Sequence, residues 1–129
     1  MTQENKDLRL KDLCARLPYG VKVEIYKDEP PYKLKGYDGK DFLSDSGWDY
    51  LIEQCKPYLF PLSSMTEEQK KEYNSIIYHG VELHCERYYD VIDVDCYDEL
   101  HDFYHKNHLD YRGLIPMGLA NDATGLNIY

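Results

Sequence analysis

Three histidines carry the most suggestive spacing in the chain. His101, His105 and His108 fall at i, i+4 and i+7, so on one helix they would share a face. Two imidazoles four residues apart can hold one zinc ion, and Asp98, Asp102 or Asp110 could complete the set or orient a ring. A water on such a metal would supply hydrolytic chemistry. The residues between His101 and His105 are Asp, Phe and Tyr, so the H-E-x-x-H pattern of zinc hydrolases is not met. The plainer reading is that the histidines sit at a helix C-terminus, where a donor or cation is favoured. That reading leads, and no cofactor is expected.

Carboxylates make the second pattern. The chain of 129 residues has 24 Asp and Glu against 15 Lys and Arg, a net charge of −9. The excess is local. Glu82 to Asp102 holds eight acids and one base, Arg87, so these 21 residues carry −7. A solvated, solubilising face is one reading. A docking surface for a basic protein is the sharper one, with carboxylates standing in for phosphates. A calcium loop at Asp93-Val-Asp95-Cys-Tyr-Asp98-Glu99 lacks the Gly and the spaced Glu that an EF-hand needs. Direct nucleic-acid binding is disfavoured, because it runs on excess Lys and Arg.

Other chemistry has little support. There is no G-x-S-x-G elbow, Walker loop or dinucleotide glycine fingerprint. Ser63 and Ser64 read as helix caps. Cys14, Cys55, Cys85 and Cys96 form no C-x-x-C pair and no zinc spacing, and read as structural thiols. The polar start, Met1-Thr-Gln-Glu-Asn-Lys-Asp, has no apolar signal region, and no run approaches the roughly 18 apolar residues of a membrane span. A cytoplasmic protein with reduced thiols is expected. The 14 tyrosines, beside 3 Phe and 1 Trp, exceed what a core needs, and the surplus suits a protein-binding face.

The elements that would position these groups follow from periodicity. The leucines from Leu8 and the stop at Pro18 predict a helix over 6–17. Val21, Val23 and Ile25 alternate with polar residues, and the pattern resumes at Tyr32 after Asp28-Glu-Pro-Pro. A hairpin or small antiparallel sheet over 20–45 follows, with Asp38-Gly39 as a turn. Trp48, Leu51, Ile52 and Cys55 fit one face of a helix that Pro57 would end. Leu59-Phe-Pro-Leu reads as an apolar connector. Thr66-Glu-Glu-Gln69 is a capping box for a helix over 66–78, with Gly80 at its end. Residues 81–94 lean to strand. Asp95 would cap a helix carrying Leu100, Phe103 and Tyr104 and ending near Asn107. At the corner beyond it, Asp110 could cap a turn and Arg112 could pair with a carboxylate. The expectation is one α+β domain over 1–129: an N-terminal helix, a small antiparallel sheet, then mainly helices, with an irregular tail near 121–129.

Two stretches, Lys56-Pro-Tyr-Leu-Phe-Pro-Leu-Ser-Ser-Met-Thr-Glu-Glu and His105-Lys-Asn-His-Leu-Asp-Tyr-Arg-Gly-Leu-Ile-Pro-Met-Gly-Leu-Ala, resemble segments of a family of small uncharacterised proteins from gut Bacteroidetes, their phages and mobile elements. Together they span about a quarter of the chain. The resemblance implies a bacterial cytoplasm under phage or mobile-element influence, and it implies no catalytic residue. The unmatched acidic segment would carry what is particular to this protein. The leading expectation is thus a non-catalytic module. It would dock Glu86, Asp90, Asp93, Asp95, Asp98 and Asp102, with Tyr88, Tyr89 and Tyr97, on a basic partner such as a nucleic-acid-handling or defence protein. A small metal-dependent hydrolase built on the histidines, and a structural homo-oligomer, are the alternatives.

Overall fold

A computed structural model describes the backbone of residues 1–83 and 94–129 and the side chains of residues 1–77 and 98–129. The chain opens with helix α1 (Gln3–Arg16). It begins three residues before the expected start because Thr2 supplies a cap: its Oγ1 accepts from Asn5 N at 3.1 Å. Pro18 turns the chain through a 3-10 turn over Leu17–Tyr19. Gly20 closes it at φ 71, a left-handed conformation that suits glycine, and an added Cβ would meet Lys33 Cε at 3.0 Å.

Among the described residues, seven strands follow as one mixed sheet. They are β1 (Lys22–Glu24), β2 (Tyr32–Tyr37), β3 (Asp41–Ser44), β4 (Asp49–Leu51), β5 (Lys56–Pro61), β6 (Leu109–Asp110) and β7 (Asn121–Asp122). The order is β4-β3-β2-β1-β5-β6, with β7 also on β5. Pairings from β4 through β1 to β5 are antiparallel. β6 and β7 join β5 in parallel, so the sheet is not purely antiparallel. The tail therefore starts as a two-residue strand, and Tyr129 returns to the sheet: its hydroxyl accepts from Lys22 N at 2.9 Å and donates to Tyr58 O at 2.8 Å.

The helix expected after Ser46 is not formed. β4 and β5 stand there, separated by a 3-10 turn at Ile52–Gln54. A helix would have turned Trp48 and Leu51 inward, yet they are 70% and 46% exposed. Tyr50 points in instead, between the exposed Asp49 and Leu51, which is the period of a strand. The supposed connector at Leu59 is the middle of β5, and Leu59 is fully buried.

Helix α2 (Glu67–Leu83) starts on the expected capping box. Gln69 N donates to Thr66 Oγ1 at 3.1 Å and Thr66 N to Gln69 Oε1 at 2.9 Å. It runs past Gly80, the expected terminator, so residues 81–83 are helical rather than strand. The rest of that expected strand, 84–93, lies outside the described residues. Helix α3 (Val94–Lys106) begins one residue before Asp95, which thus sits in the first turn and not at the cap. The architecture is α+β: an N-terminal helix, a small sheet and further helices.

Three apolar clusters hold these layers. Leu13 of α1 packs with Val21, Val23, Leu34, Phe42, Tyr50 and Cys55. Leu59 packs with Leu114, Leu119 and Ala120. Leu100 and Phe103 of α3 pack with Leu109, and Tyr73, Ile76 and Ile77 of α2 lie against them. Because Leu59 is a core residue of the central strand, Leu59→Ala is expected to lower unfolding free energy by about 2–5 kcal/mol. Urea denaturation measures this, and a loss under about 1 kcal/mol would fit a surface connector instead.

Candidate functional site

Helix α3 sorts its side chains by chemistry. Leu100 and Phe103, three apart, are buried at 6% and 1% exposure. Asp98, Glu99 and Asp102 face solvent. Asp102 Oδ1 accepts a long hydrogen bond, 3.4 Å, from Tyr19 OH, which places a tyrosine beside the acids. Of the other expected partner-binding residues, Glu86, Tyr88, Tyr89, Asp90 and Asp93 lie outside the described residues. Asp95 and Tyr97 lie on α3 in its first turn, with their side chains outside the description.

His101 and His105 share a face of α3 as their spacing predicts, with rings stacked at 6.2 Å between centroids, and only His108 leaves that face. His101 is exposed, its ring stacked on Tyr111 with centroids 5.4 Å apart. His105 is buried, and its Nε2 shares a hydrogen bond of 2.8 Å with Tyr111 OH. His108 falls beyond the end of α3, in a left-handed turn at φ 55, and stacks on Tyr129 with centroids 3.6 Å apart. The helix stops at Lys106, so the i+7 position that would have aligned His108 does not exist. Among the described residues, the groups whose ligand atoms could converge on one metal ion are the carboxylates of Asp38, Asp41 and Asp49, far from this chemistry in sequence. Two of these sit in a turn where Asp38 Oδ1 accepts from Lys40 N and Asp41 N, which explains them structurally.

What surrounds His105 and His108 is a buried charge network. Asp12 and Arg16, both fully buried on α1, pair at 2.9 Å. Arg112 Nε donates to the other oxygen of Asp12 at 3.1 Å. Arg16 Nη2 donates to Leu109 O at 2.6 Å. The Arg112 and Arg16 guanidinium carbons lie 4.8 and 5.6 Å from the Tyr111 ring centre, and Tyr104 stacks on that ring at 4.7 Å. The corner expected at 110–113 is present as read: Asp110 accepts from Leu114 N at 2.8 Å and Ile115 N at 2.9 Å.

This setting decides the histidines' chemistry. Burial, then the charge of Arg16, drives both rings down from 6.5 to about 4. They are neutral near pH 7 and weak bases. The Nδ1 of His108 is buried with no hydrogen-bond partner, which also favours the neutral ring. Burial pushes the Cys55 thiol up to about 12 and raises that of Cys14, so neither is a ready nucleophile. The arrangement braces α3 against α1 and keeps Asp98, Glu99 and Asp102 on the solvent side.

One feature was hidden by the expected helix. Trp48 stands immediately before β4 and lines an open groove with Tyr26, Tyr32 and Tyr50. The turn-forming run Asp45-Ser46-Gly47 immediately before it was the available signal for a strand start.

The histidines also set a pH dependence. In the unfolded chain they titrate near 6.5, and in the folded chain near 4. Between those values the unfolded chain takes up protons that the folded one refuses, so stability falls as pH drops from 6.5 to 4. Each ring accounts for a loss on the order of 3 kcal/mol across that window. His108→Gln should flatten the urea midpoint over this range relative to the parent chain. Parallel profiles for the two would show that His108 stays protonatable in the fold. No protein-family model, curated protein or solved structure matches this chain.

Proposed function

We propose that this chain is a non-catalytic, cytoplasmic protein-binding module that docks an acidic, tyrosine-bearing surface on a basic partner. The observation that supports this most directly is α3, whose packed side holds Leu100 and Phe103 while Asp98, Glu99 and Asp102 face outward beside Tyr19. A rigidly held row of carboxylates keeps its spacing on encounter and raises the association rate of a positively charged protein. The −7 of the segment from Glu82 to Asp102 strengthens that field. Glu86, Asp90, Asp93, Asp95, Tyr88, Tyr89 and Tyr97 belong to the same proposed surface by sequence.

The concrete version is an inhibitor encoded by a phage or mobile element that occupies the nucleic-acid-binding face of a host defence or nucleic-acid-handling protein. It draws on the charge and on the resemblance of the two flanking stretches to small phage-associated proteins.

The decisive experiment identifies a partner from the native host by affinity capture, then compares binding of the parent chain with an Asp98→Lys, Glu99→Lys, Asp102→Lys triple variant. The three positions are exposed, so the melting temperature should move little. Affinity should fall by about 100-fold or more at physiological salt, mainly through a slower on-rate. Equal binding by the triple variant would show that this face is not the docking surface.

A further inference from the structure

A second surface, built on different elements, has chemistry that the α3 acids do not use. β4 is the terminal strand of the sheet order, and Trp48, immediately before it, is 70% exposed. Tyr26, on the segment after β1, is 48% exposed. With Tyr32 and Tyr50 they line an open groove of about 510 Å³. The rings are ordered against each other. Tyr26 meets Tyr50 edge to face, at 6.1 Å and 81°, and Tyr32 meets Tyr50 at 5.9 Å and 45°. Tyr50 is anchored in the core at 8% exposure, so the aromatic wall is fixed from behind. A large ring left this open is unusual in a protein otherwise able to bury Tyr and Phe, and such exposure marks interaction sites.

The charges around the rings select the occupant. Glu29 and Asp49 belong to the groove, and Glu29 Oε2 accepts from Tyr32 OH at 2.8 Å. Asp49 stands within 4.8 Å of carboxylate oxygens on Asp38 and Asp41, which deepens the negative potential at this end of the sheet. Among the described residues, no Lys or Arg lines the groove. Lys33 and Lys35 of β2 alternate with the buried Leu34 and are not among the residues that line the groove. Electron-rich ring faces with carboxylates at the margin and no internal cation attract an organic cation on an alkyl stem. The groove is open, which fits a side chain presented by a polypeptide crossing it. The neighbouring hollow at Pro30 and Pro31, with Asp45, extends the track for that polypeptide.

We propose that this groove docks a Lys or Arg side chain carried by an extended, basic segment of a partner protein. The proposal stands apart from the α3 surface and can hold or fail without it.

Trp48 is the one tryptophan of the chain, so its emission reports on this groove alone. The test is titration of the full chain with capped hexa-arginine and hexa-lysine, with hexa-glutamine and hexa-proline as controls. The basic peptides should give a saturable change in Trp48 emission that weakens with salt. A Glu29→Gln, Asp49→Asn double variant, isosteric at two exposed positions, should lose about tenfold in affinity. The α3 triple variant should keep the Trp48 response. No saturable response to either basic peptide would overturn the proposal, as would equal affinity in the double variant or hexa-proline binding as tightly. Loss of the response in the α3 variant alone would assign the cation to that other surface. A response to protein concentration without peptide would assign the groove to a second copy of the chain.

Discussion

A single buried carboxylate joins the two ends of this fold. Asp12 on α1 holds Arg16 through one oxygen and Arg112, 100 residues later, through the other. Charges with no exposure are costly unless each lone pair and N–H finds a partner. Here the remaining donors of Arg16 turn to Leu109 O and Tyr104 O, and Arg9 on the same helix donates to Leu119 O. α1 thus grips β6 and the C-terminal turns through carbonyls as well as through the ion pair. Removing one partner would leave the others buried and uncompensated, which is why such networks fix an arrangement more than they add stability.

The same network shapes its neighbours. Tyr111 lies under both guanidinium groups and receives His105 at its hydroxyl, so one ring converts the buried positive charge into a position for α3. Burial, with the positive charge of Arg16 behind it, keeps His105 and His108 neutral near pH 7, and these rings lie against Tyr111 and Tyr129 without bringing a further cation indoors. His105 is in this way the joint between α3 and its support. The rings of Tyr104 and Tyr111 are spent on internal contacts, and among the described residues the exposed tyrosines are Tyr19, Tyr26 and Tyr129.

Much of this was legible in the sequence where a local signal and the tertiary contact agree. The Thr66–Gln69 box needs only four residues, and both its hydrogen bonds are formed. Asp110 lies in a corner whose short-range geometry dictates its role, whereas the carboxylate that Arg112 meets, Asp12, is 100 residues away in the chain. The alternation at 21–25 and 32–37 puts Val21, Val23 and Leu34 in the core. Legibility failed between 46 and 61. Trp48, Leu51, Ile52 and Cys55 match helical spacing by coincidence, while the deciding facts are non-local. Tyr50 has to reach the core beside Tyr32, and Pro57 and Leu59 have to lie against Val23 and β7. A proline near the start of β5 read as a stop because nothing nearby reveals the strand it joins. The His108 position failed for a similar reason: the helix ends at Lys106 through the turn that brings Leu109 onto β5, a contact 49 residues away in sequence from its partner Phe60.

The bookkeeping of buried charge sharpens what the net −9 means. Among the described residues, the charged groups that are buried are Arg9, Asp12, Arg16 and Asp110, two of each sign. They cancel, and the buried histidines are neutral near pH 7. Among the described residues the interior therefore absorbs none of the excess. Asp110 is satisfied by backbone N–H groups and Arg9 by backbone carbonyls, so neither draws a surface partner inward. Surface lysines do offset part of the acid, as at Glu53 with Lys6 and Glu72 with Lys106, but exposed pairs of this kind contribute little and leave the far field negative. On the proposed reading, a basic partner approaching this protein would meet an unbalanced field, and the fold would decide which braced features receive it. The side chains held from behind are the acids of α3, braced by the Arg16–Tyr111 joint, and the rings around Trp48, braced by Tyr50.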